Sequence, residues 1–164
     1  NLGDPWQIAI LLTVFALLLG YADRRPATRK LGDLQRSDAV KIGIAQAMAL
    51  APGVSRSGVT ITAGRFLNLD RDSAARFSFL LLVPATAGAV VLKGAGVIRD
   101  GLPDGAAGPM VLGIIASAIS GYLAIAWMLA YVRTRSYDVF VVYRLVATAV
   151  IVLLIATEIK DSTF

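Results

Sequence analysis

Long apolar runs alternate with short polar segments along this chain of 164 residues. Four of the runs match the roughly 17 to 25 residues that a helix needs to cross a bilayer. They predict transmembrane helices over residues 5–22, 74–92, 108–132 and 139–158. The chain is therefore predicted to be an all-α integral membrane protein that forms a single membrane domain over residues 1–164.

Composition agrees with this fold class and limits the chemistry. The chain is 57% hydrophobic and carries a net charge of +5, but its basic residues lie beside apolar runs and do not form a separate basic surface. This grouping indicates membrane orientation, and we expect no nucleic-acid partner. Cysteine and histidine are absent, which excludes disulfides, thiolate chemistry and an imidazole base from this chain.

The polar connector 23–38, with the sequence DRRPATRKLGDLQRSD, is strongly basic and is therefore predicted to be cytoplasmic. The next segment, 39–69, is broken near Pro52 and Gly53. At roughly 1.5 Å per residue its halves rise only about 20 Å and about 15 Å, too short to cross a core of roughly 30 Å. A re-entrant hairpin over 39–69 keeps the most basic loops inside and places the sparser loop 93–107 outside.

The break itself, APGVSRSGVTI at residues 51–61, carries the candidate chemistry. Non-helical backbone at membrane depth must be buried by protein or line a wet cavity, and an arginine there needs a polar partner. A second half-helix beginning near Ser57 would direct free N–H groups into such a cavity, where phosphate binds readily. Hydroxyls, flexible glycines and a guanidinium complete a predicted phosphate or diphosphate site formed by Gly53, Ser55, Arg56, Ser57, Gly58 and Thr60. The alternative is a tight helix crossing in which Arg56 only caps carbonyl groups.

The stretch from Gln46 to Gly88 closely resembles the second signature region of undecaprenyl-diphosphatases of the BacA/UppP family. The likeness is most specific in PGVSRSGVTI and FSFLLLVP. The resemblance implies a phosphatase of the bacterial cytoplasmic membrane with inverted repeats, which removes the terminal phosphate of undecaprenyl diphosphate and so recycles the lipid carrier of cell-wall synthesis. It also implies a site open to the outer side and a divalent cation, magnesium or calcium.

Carried onto this chain, the resemblance assigns a catalytic role to Arg56, Ser55 and Ser57. It assigns substrate binding to Gly53, Gly58, Thr60 and Gln46. The first repeat of the family, with paired glutamates and an SSTGH-like segment, has no counterpart here, so no metal ligand is expected within this chain. We therefore expect these residues to be part of a longer enzyme and inactive alone, and we leave a homodimer open.

Other interpretations remain open at this point. A lipid-phosphate or anion transporter would use the same hairpin without chemistry, and a structural membrane scaffold would need no charge at Arg56. Arg144, inside the last apolar run, is expected either to snorkel to the interface or to contact the polar cavity. Arg65 is expected to anchor to anionic headgroups, and Glu158 is not expected to be catalytic.

Overall fold

The structure is a computed structural model, which describes residues 4–101 and 105–157. These residues form six α-helices: α1 Pro5–Asp23, α2 Arg36–Ala47, α3 Arg56–Phe66, α4 Arg71–Asp100, α5 Ala107–Thr134 and α6 Asp138–Ala156. Two short 3-10 helices, Leu31–Asp33 and Met48–Leu50, lie in the connections before and after α2. An isolated β-bridge joins Arg29 to Leu69, and the described part of the chain contains no longer strand.

Four helices, α1, α4, α5 and α6, are long and apolar enough to cross a membrane. Large aliphatic side chains on the three later helices face outward, with Leu92 77% exposed, Leu112 69% and Leu153 64%. Such a surface would be unfavourable in water and is suited to hydrocarbon. The prediction of an all-α membrane protein with four spanning helices is therefore confirmed.

The helix α4 is longer than the predicted span 74–92. It begins after Asp70, whose carboxylate accepts a hydrogen bond from the Ser73 amide at 2.7 Å, and it continues through Lys93 and Arg99. It ends where Gly101 takes a φ of 76°, a left-handed conformation that favours glycine. Charged residues after residue 92 end the apolar run but not the helix, so much of the predicted outer loop 93–107 is helical. Residues 102–104 of that loop, and Glu158 at the predicted end of the last span, lie outside the described residues.

The ends of α2 and α3 that are distant from the break lie next to each other, because the connector between α1 and α2 joins them. The Arg29 guanidinium donates to the Asp38 carboxylate at 2.5 Å and to the Leu67 carbonyl at 3.2 Å. Asp38 lies in the first turn of α2, and Leu67 directly follows α3. The hydrogen bond from Arg29 also lowers the pKa of the Asp38 carboxyl. The two helices therefore start and finish at one end of the bundle, and the break between them lies beside the middle of α4.

A buried polar cluster fixes the same end of the bundle. Asp23, the last residue of α1, accepts hydrogen bonds from the Arg71 guanidinium at 2.6 and 3.0 Å and from the Tyr137 amide at 3.1 Å. Arg65, near the end of α3, is only 3% exposed and donates to three backbone carbonyl oxygens. The expectation that Arg65 anchors to lipid headgroups is therefore wrong. Burial raises the pKa of the Tyr137 phenol, which donates to the Arg71 carbonyl at 2.9 Å.

Candidate functional site

The helix break between α2 and α3 is a short turn built by proline and glycine. After the 3-10 helix Met48–Leu50, the Val54 amide donates to the Ala51 carbonyl at 3.2 Å, which closes a four-residue turn. Pro52 and Gly53 occupy its central positions, and Gly53 has a φ of 90°. This is the residue order of a type II turn, in which the third position requires a positive φ. The turn therefore follows from local sequence.

Gly53 also lies very close to α1. A Cβ atom at this position would lie 2.8 Å from the carbonyl oxygen of Ile8 and 3.1 Å from its Cα. Because both neighbouring atoms belong to backbone, they cannot move aside cheaply. Gly53 thus holds the break against α1 and shapes the site without a side chain.

A pair of glycine substitutions tests this close approach. We expect Gly53→Ala to lower the free energy of unfolding by about 1–3 kcal/mol, since the side chain adds a clash to a left-handed backbone. Gly43→Ala, in the interior of α2 with no atom within 4 Å of the added Cβ, should instead raise it by about 0.5–1 kcal/mol. Unfolding of the two variants in detergent, followed by circular dichroism, measures both changes. Equal stability of the two variants would contradict the proposed packing at Gly53.

Ser55 and Ser57 lie at the N-terminus of α3. The Ser55 hydroxyl oxygen caps the helix by accepting a hydrogen bond from the Gly58 amide at 3.2 Å, and it lies 3.4 Å from the Ser57 hydroxyl oxygen. The amides of Arg56 and Ser57, in the first turn, have no acceptor within the helix. Two hydroxyls and two amides therefore converge where the helix dipole is positive, an arrangement that favours an anion.

Arg56, the first residue of α3, is exposed and lines two adjoining cavities. One, of about 390 Å³, is also lined by Ser57 and Ser78, and the other, of about 320 Å³, by Gln46. The Gln46 Oε1 atom is buried and has no hydrogen-bond partner among the described residues. The structure thus brings Arg56, Ser57 and Gln46, from both sides of the break, to two cavities that share Arg56 and Ala49.

Thr60 is placed differently from the other predicted site residues. It is 1% exposed, and its hydroxyl lies 2.7 Å from the Ser78 hydroxyl of α4 and 2.9 Å from the Arg56 carbonyl oxygen. It connects α3 to α4 and does not line either cavity. Ser78, which lines the larger cavity, was not singled out from the sequence; its only signal is a hydroxyl within the apolar run FSFLLL.

Gly58, one turn into α3, is buried and faces α6. A Cβ atom at this position would lie 2.5 Å and 2.6 Å from the two terminal nitrogens of Arg144. The Arg144 side chain therefore does not snorkel to an interface but lies against the first turn of α3. Arg144 does not line either cavity, so it contacts the helix beside the site and not the polar cavity itself.

The residues at the break do not provide a site for a divalent cation. Among residues 4–101 and 105–157, no group of three or more aspartate, glutamate, histidine or cysteine side chains is arranged so that it could hold a metal ion. The cavities beside Arg56 are lined by alanine, glycine, serine, glutamine and larger apolar residues. Magnesium and calcium require oxygen ligands, usually carboxylates, which these cavities lack. We therefore derive no step through a cation from this set of residues.

Comparison with known proteins finds one matching family model and several similar proteins. Residues 1–150 match the family model described as bacitracin resistance protein BacA. The chain is 45% identical over 159 residues to an undecaprenyl-diphosphatase of a Nocardioides species, covering 94% of this chain and 56% of the relative. It is 48% identical over 146 residues to an undecaprenyl-diphosphatase of Geobacter sulfurreducens, covering 88% of this chain and 54% of the relative.

The chain thus spans about half the length of the curated relatives it matches. The match includes every predicted site residue from Gln46 to Thr60, and the turn, the capped helix and the exposed arginine all lie within it. With its four spanning helices and broken helix pair, this chain belongs to the BacA family.

Proposed function

We propose that this chain contributes to the active site of an enzyme that hydrolyses undecaprenyl diphosphate to undecaprenyl phosphate and inorganic phosphate. The observation that carries the proposal is Arg56, an exposed guanidinium at the first residue of α3, beside two hydroxyls and two free amides. The family and the printed names of the relatives supply the substrate and the reaction. Lipid-borne diphosphate fits a polar site that is reached through an apolar bundle.

In this reaction the bond between the terminal phosphorus and the bridging oxygen breaks, and the oxygen of water forms the new bond to phosphorus. Negative charge lies on the phosphoryl oxygens throughout, so catalysis depends on positioning and on electrostatic stabilisation. Arg56 neutralises that charge with two parallel hydrogen bonds. Ser55 and Ser57 orient the diphosphate as donors, the role that fits two hydroxyls without a neighbouring base.

The remaining residues shape and support the site. Gly53 lets the turn approach α1, Gly58 leaves space beside α6, and Gln46 offers its amide to the cavity. Thr60 acts indirectly, by fixing the first turn of α3 through Ser78. We assign activation of the attacking oxygen, and the ligands of a magnesium or calcium ion, to groups outside this chain, in the part of the relatives that it does not cover.

Release of inorganic phosphate tests the proposed reaction. The complete gene product, purified in detergent and given undecaprenyl diphosphate, is expected to release one phosphate per lipid and to yield undecaprenyl phosphate. A transporter would instead move the lipid between leaflets of a vesicle without releasing phosphate. Lipid movement without phosphate release would therefore replace the proposed enzyme by the transport alternative.

We also propose that the basic end of the bundle faces the cytoplasm and that α2 and α3 form a re-entrant hairpin. Both ends of this helix pair lie at the end of the bundle where Asp23, Arg71 and Tyr137 meet. The loops at this end are rich in arginine, as cytoplasmic loops are. The break then points into the membrane, towards the outer side.

Single cysteines test this topology directly, because the chain has none of its own. Arg36→Cys and Arg135→Cys are expected to react with a membrane-impermeant maleimide only in inside-out vesicles, and Asp100→Cys only in intact spheroplasts. All three positions are exposed. If Arg36→Cys and Arg135→Cys reacted from opposite sides, the segment 39–69 would cross the membrane and the hairpin would be rejected.

A further inference from the structure

A second guanidinium lies behind the candidate site. Arg144, in the second turn of α6, is only 8% exposed, although its side chain carries a permanent charge. Its terminal nitrogens and Cζ would lie 2.5 to 2.9 Å from a Cβ atom at Gly58, so the guanidinium lies directly on the backbone of α3. A side chain at position 58 would require the guanidinium to move from this position.

The charge of Arg144 has no carboxylate partner within residues 4–101 and 105–157. Arginine hydrogen bonds in this part of the chain come instead from Arg29, Arg65, Arg71, Arg76 and Arg133. A buried charge without a partner is unfavourable, and more so inside a membrane. Arg144 therefore lacks the carboxylate and carbonyl partners that Arg65 has, although its nitrogens are not fully enclosed.

Arg65 shows what a structural arginine looks like in the same helix bundle. It is also almost fully buried, but its guanidinium donates to three backbone carbonyls and its Nε lies 3.6 Å from the Asp23 carboxylate. The carbonyl oxygens and the carboxylate lie next to the guanidinium and are negatively polarised or charged, so they compensate its positive charge. Arg144 contacts the N-terminal turn of α3, where the helix dipole is itself positive. The positive charge of Arg144 and the positive end of the α3 dipole therefore lie side by side at Gly58.

We infer that Arg144 is a positioning residue of the anion site and that its charge is compensated when a phosphate or diphosphate group lies at the N-terminus of α3. At 3.6 residues per turn, Arg56 and Gly58 point about 200° apart around α3. The two arginines therefore flank this N-terminus from opposite sides, Arg56 within the cavity and Arg144 behind the turn. The residue that Arg144 contacts, Gly58, is itself linked to the anion site, because its amide donates a hydrogen bond to the Ser55 hydroxyl oxygen.

This arrangement matches the charge of the ligand. A diphosphate carries more than one negative charge, whereas Arg56 supplies one positive charge. A guanidinium held by α6 adds a second charge that needs no movement when the ligand binds, which is the advantage of preorganised electrostatics. The inference rests on the proposed function, since it takes the anion to be the diphosphate of the substrate.

The test uses the complete gene product in detergent, with inorganic pyrophosphate as the probe and undecaprenyl diphosphate as the substrate. Arg144→Met removes the charge and keeps most of the length, Arg144→Lys keeps a charge, and Arg65→Met is the structural control. Two quantities are measured: the melting temperature with and without pyrophosphate, and KM and kcat for phosphate release. The melting temperatures can be interpreted without any assumption about the reaction.

We expect Arg144→Met to melt, without pyrophosphate, at or above the wild-type temperature and to lose most of the shift that pyrophosphate causes. Its KM should rise by about tenfold, the size expected for one nearby charge in a partly desolvated site, with a smaller change in kcat. Arg144→Lys should recover part of both effects. Arg65→Met should unfold or melt far lower, because that arginine holds structure.

Three results would overturn the inference: a lower melting temperature of Arg144→Met without pyrophosphate, failure of that variant to fold, or an unchanged pyrophosphate shift. Each would mean that the charge serves the fold or does not sense the anion. The proposed function fails separately, if wild-type protein releases no phosphate from undecaprenyl diphosphate. A pyrophosphate shift that depends on Arg144 would still support the anion site in that case.

Discussion

Replacing Arg56 by alanine is expected to slow phosphate release from undecaprenyl diphosphate by about 10²- to 10³-fold, the loss typical when one preorganised donor to a developing charge is removed. Arg56 is exposed to the cavities on both sides and forms no ion pair among the described residues. Its removal therefore leaves no buried partner unpaired, and the fold should persist. Steady-state phosphate release by the purified complete gene product measures the change.

A second variant separates charge from geometry at this position, and a third, elsewhere in the chain, is the control. Arg56→Lys keeps the positive charge but loses the planar pair of donors, so its activity should stay well below that of the wild type. Arg36→Ala, an exposed arginine at the opposite end of the helix pair, should leave activity unchanged. Near-normal turnover of Arg56→Ala, with normal insertion and melting temperature, would refute its assigned role and favour a scaffold.

The break in the helix pair was predictable from sequence because its causes are local. Proline cannot continue α2, glycine permits the positive φ of a type II turn, and serine caps the next helix, all within residues 52–55. The predicted start of the second half-helix, near Ser57, differs from the observed start at Arg56 by a single residue. Arg56, predicted in the loop before that helix, is its first residue.

The environment of the buried arginines could not be predicted, because it depends on packing between distant segments. Arg65 and Arg144 both look like membrane-edge arginines in the sequence. In the fold, Arg65 lies against the ends of α1 and α4, whereas Arg144 lies against a glycine of α3. No periodicity in α3 or α6 specifies these contacts. Ser78 was missed for the same reason, since only the packing of α4 on α3 brings it to Thr60.

Helix ends were also poorly predicted where hydropathy was the only guide. The apolar run of α4 ends near Leu92, but the backbone stays helical until Gly101 because no residue between them stops a helix. Hydropathy reports how far a segment suits hydrocarbon, whereas capping residues report where its hydrogen bonds end. The two boundaries coincide only when a polar residue at the membrane surface is also a helix terminator.

A large loss of stability is expected from Asp23→Asn, which we expect to lower the free energy of unfolding by about 3–5 kcal/mol. Asp23 is 4% exposed and is the carboxylate nearest to the buried guanidinium of Arg65, at 3.6 Å. It also holds Arg71 and the Tyr137 amide, and so joins the ends of α1, α4 and α6. Asparagine keeps the shape but leaves the charge of Arg65 buried with only backbone carbonyl oxygens as partners.

Denaturation in mixed micelles with increasing dodecyl sulfate measures this free energy against the wild type. Asp100→Asn is the matched control, because it removes the same charge from an ion pair with Arg99 whose side chains are 70% and 86% exposed. Exposed pairs contribute at most about 1 kcal/mol, so this variant should be nearly wild-type. If Asp23→Asn were as stable as Asp100→Asn, the cluster would not hold the bundle ends together. The adjacency of α1, α3, α4 and α6 would then depend on their apolar contacts alone.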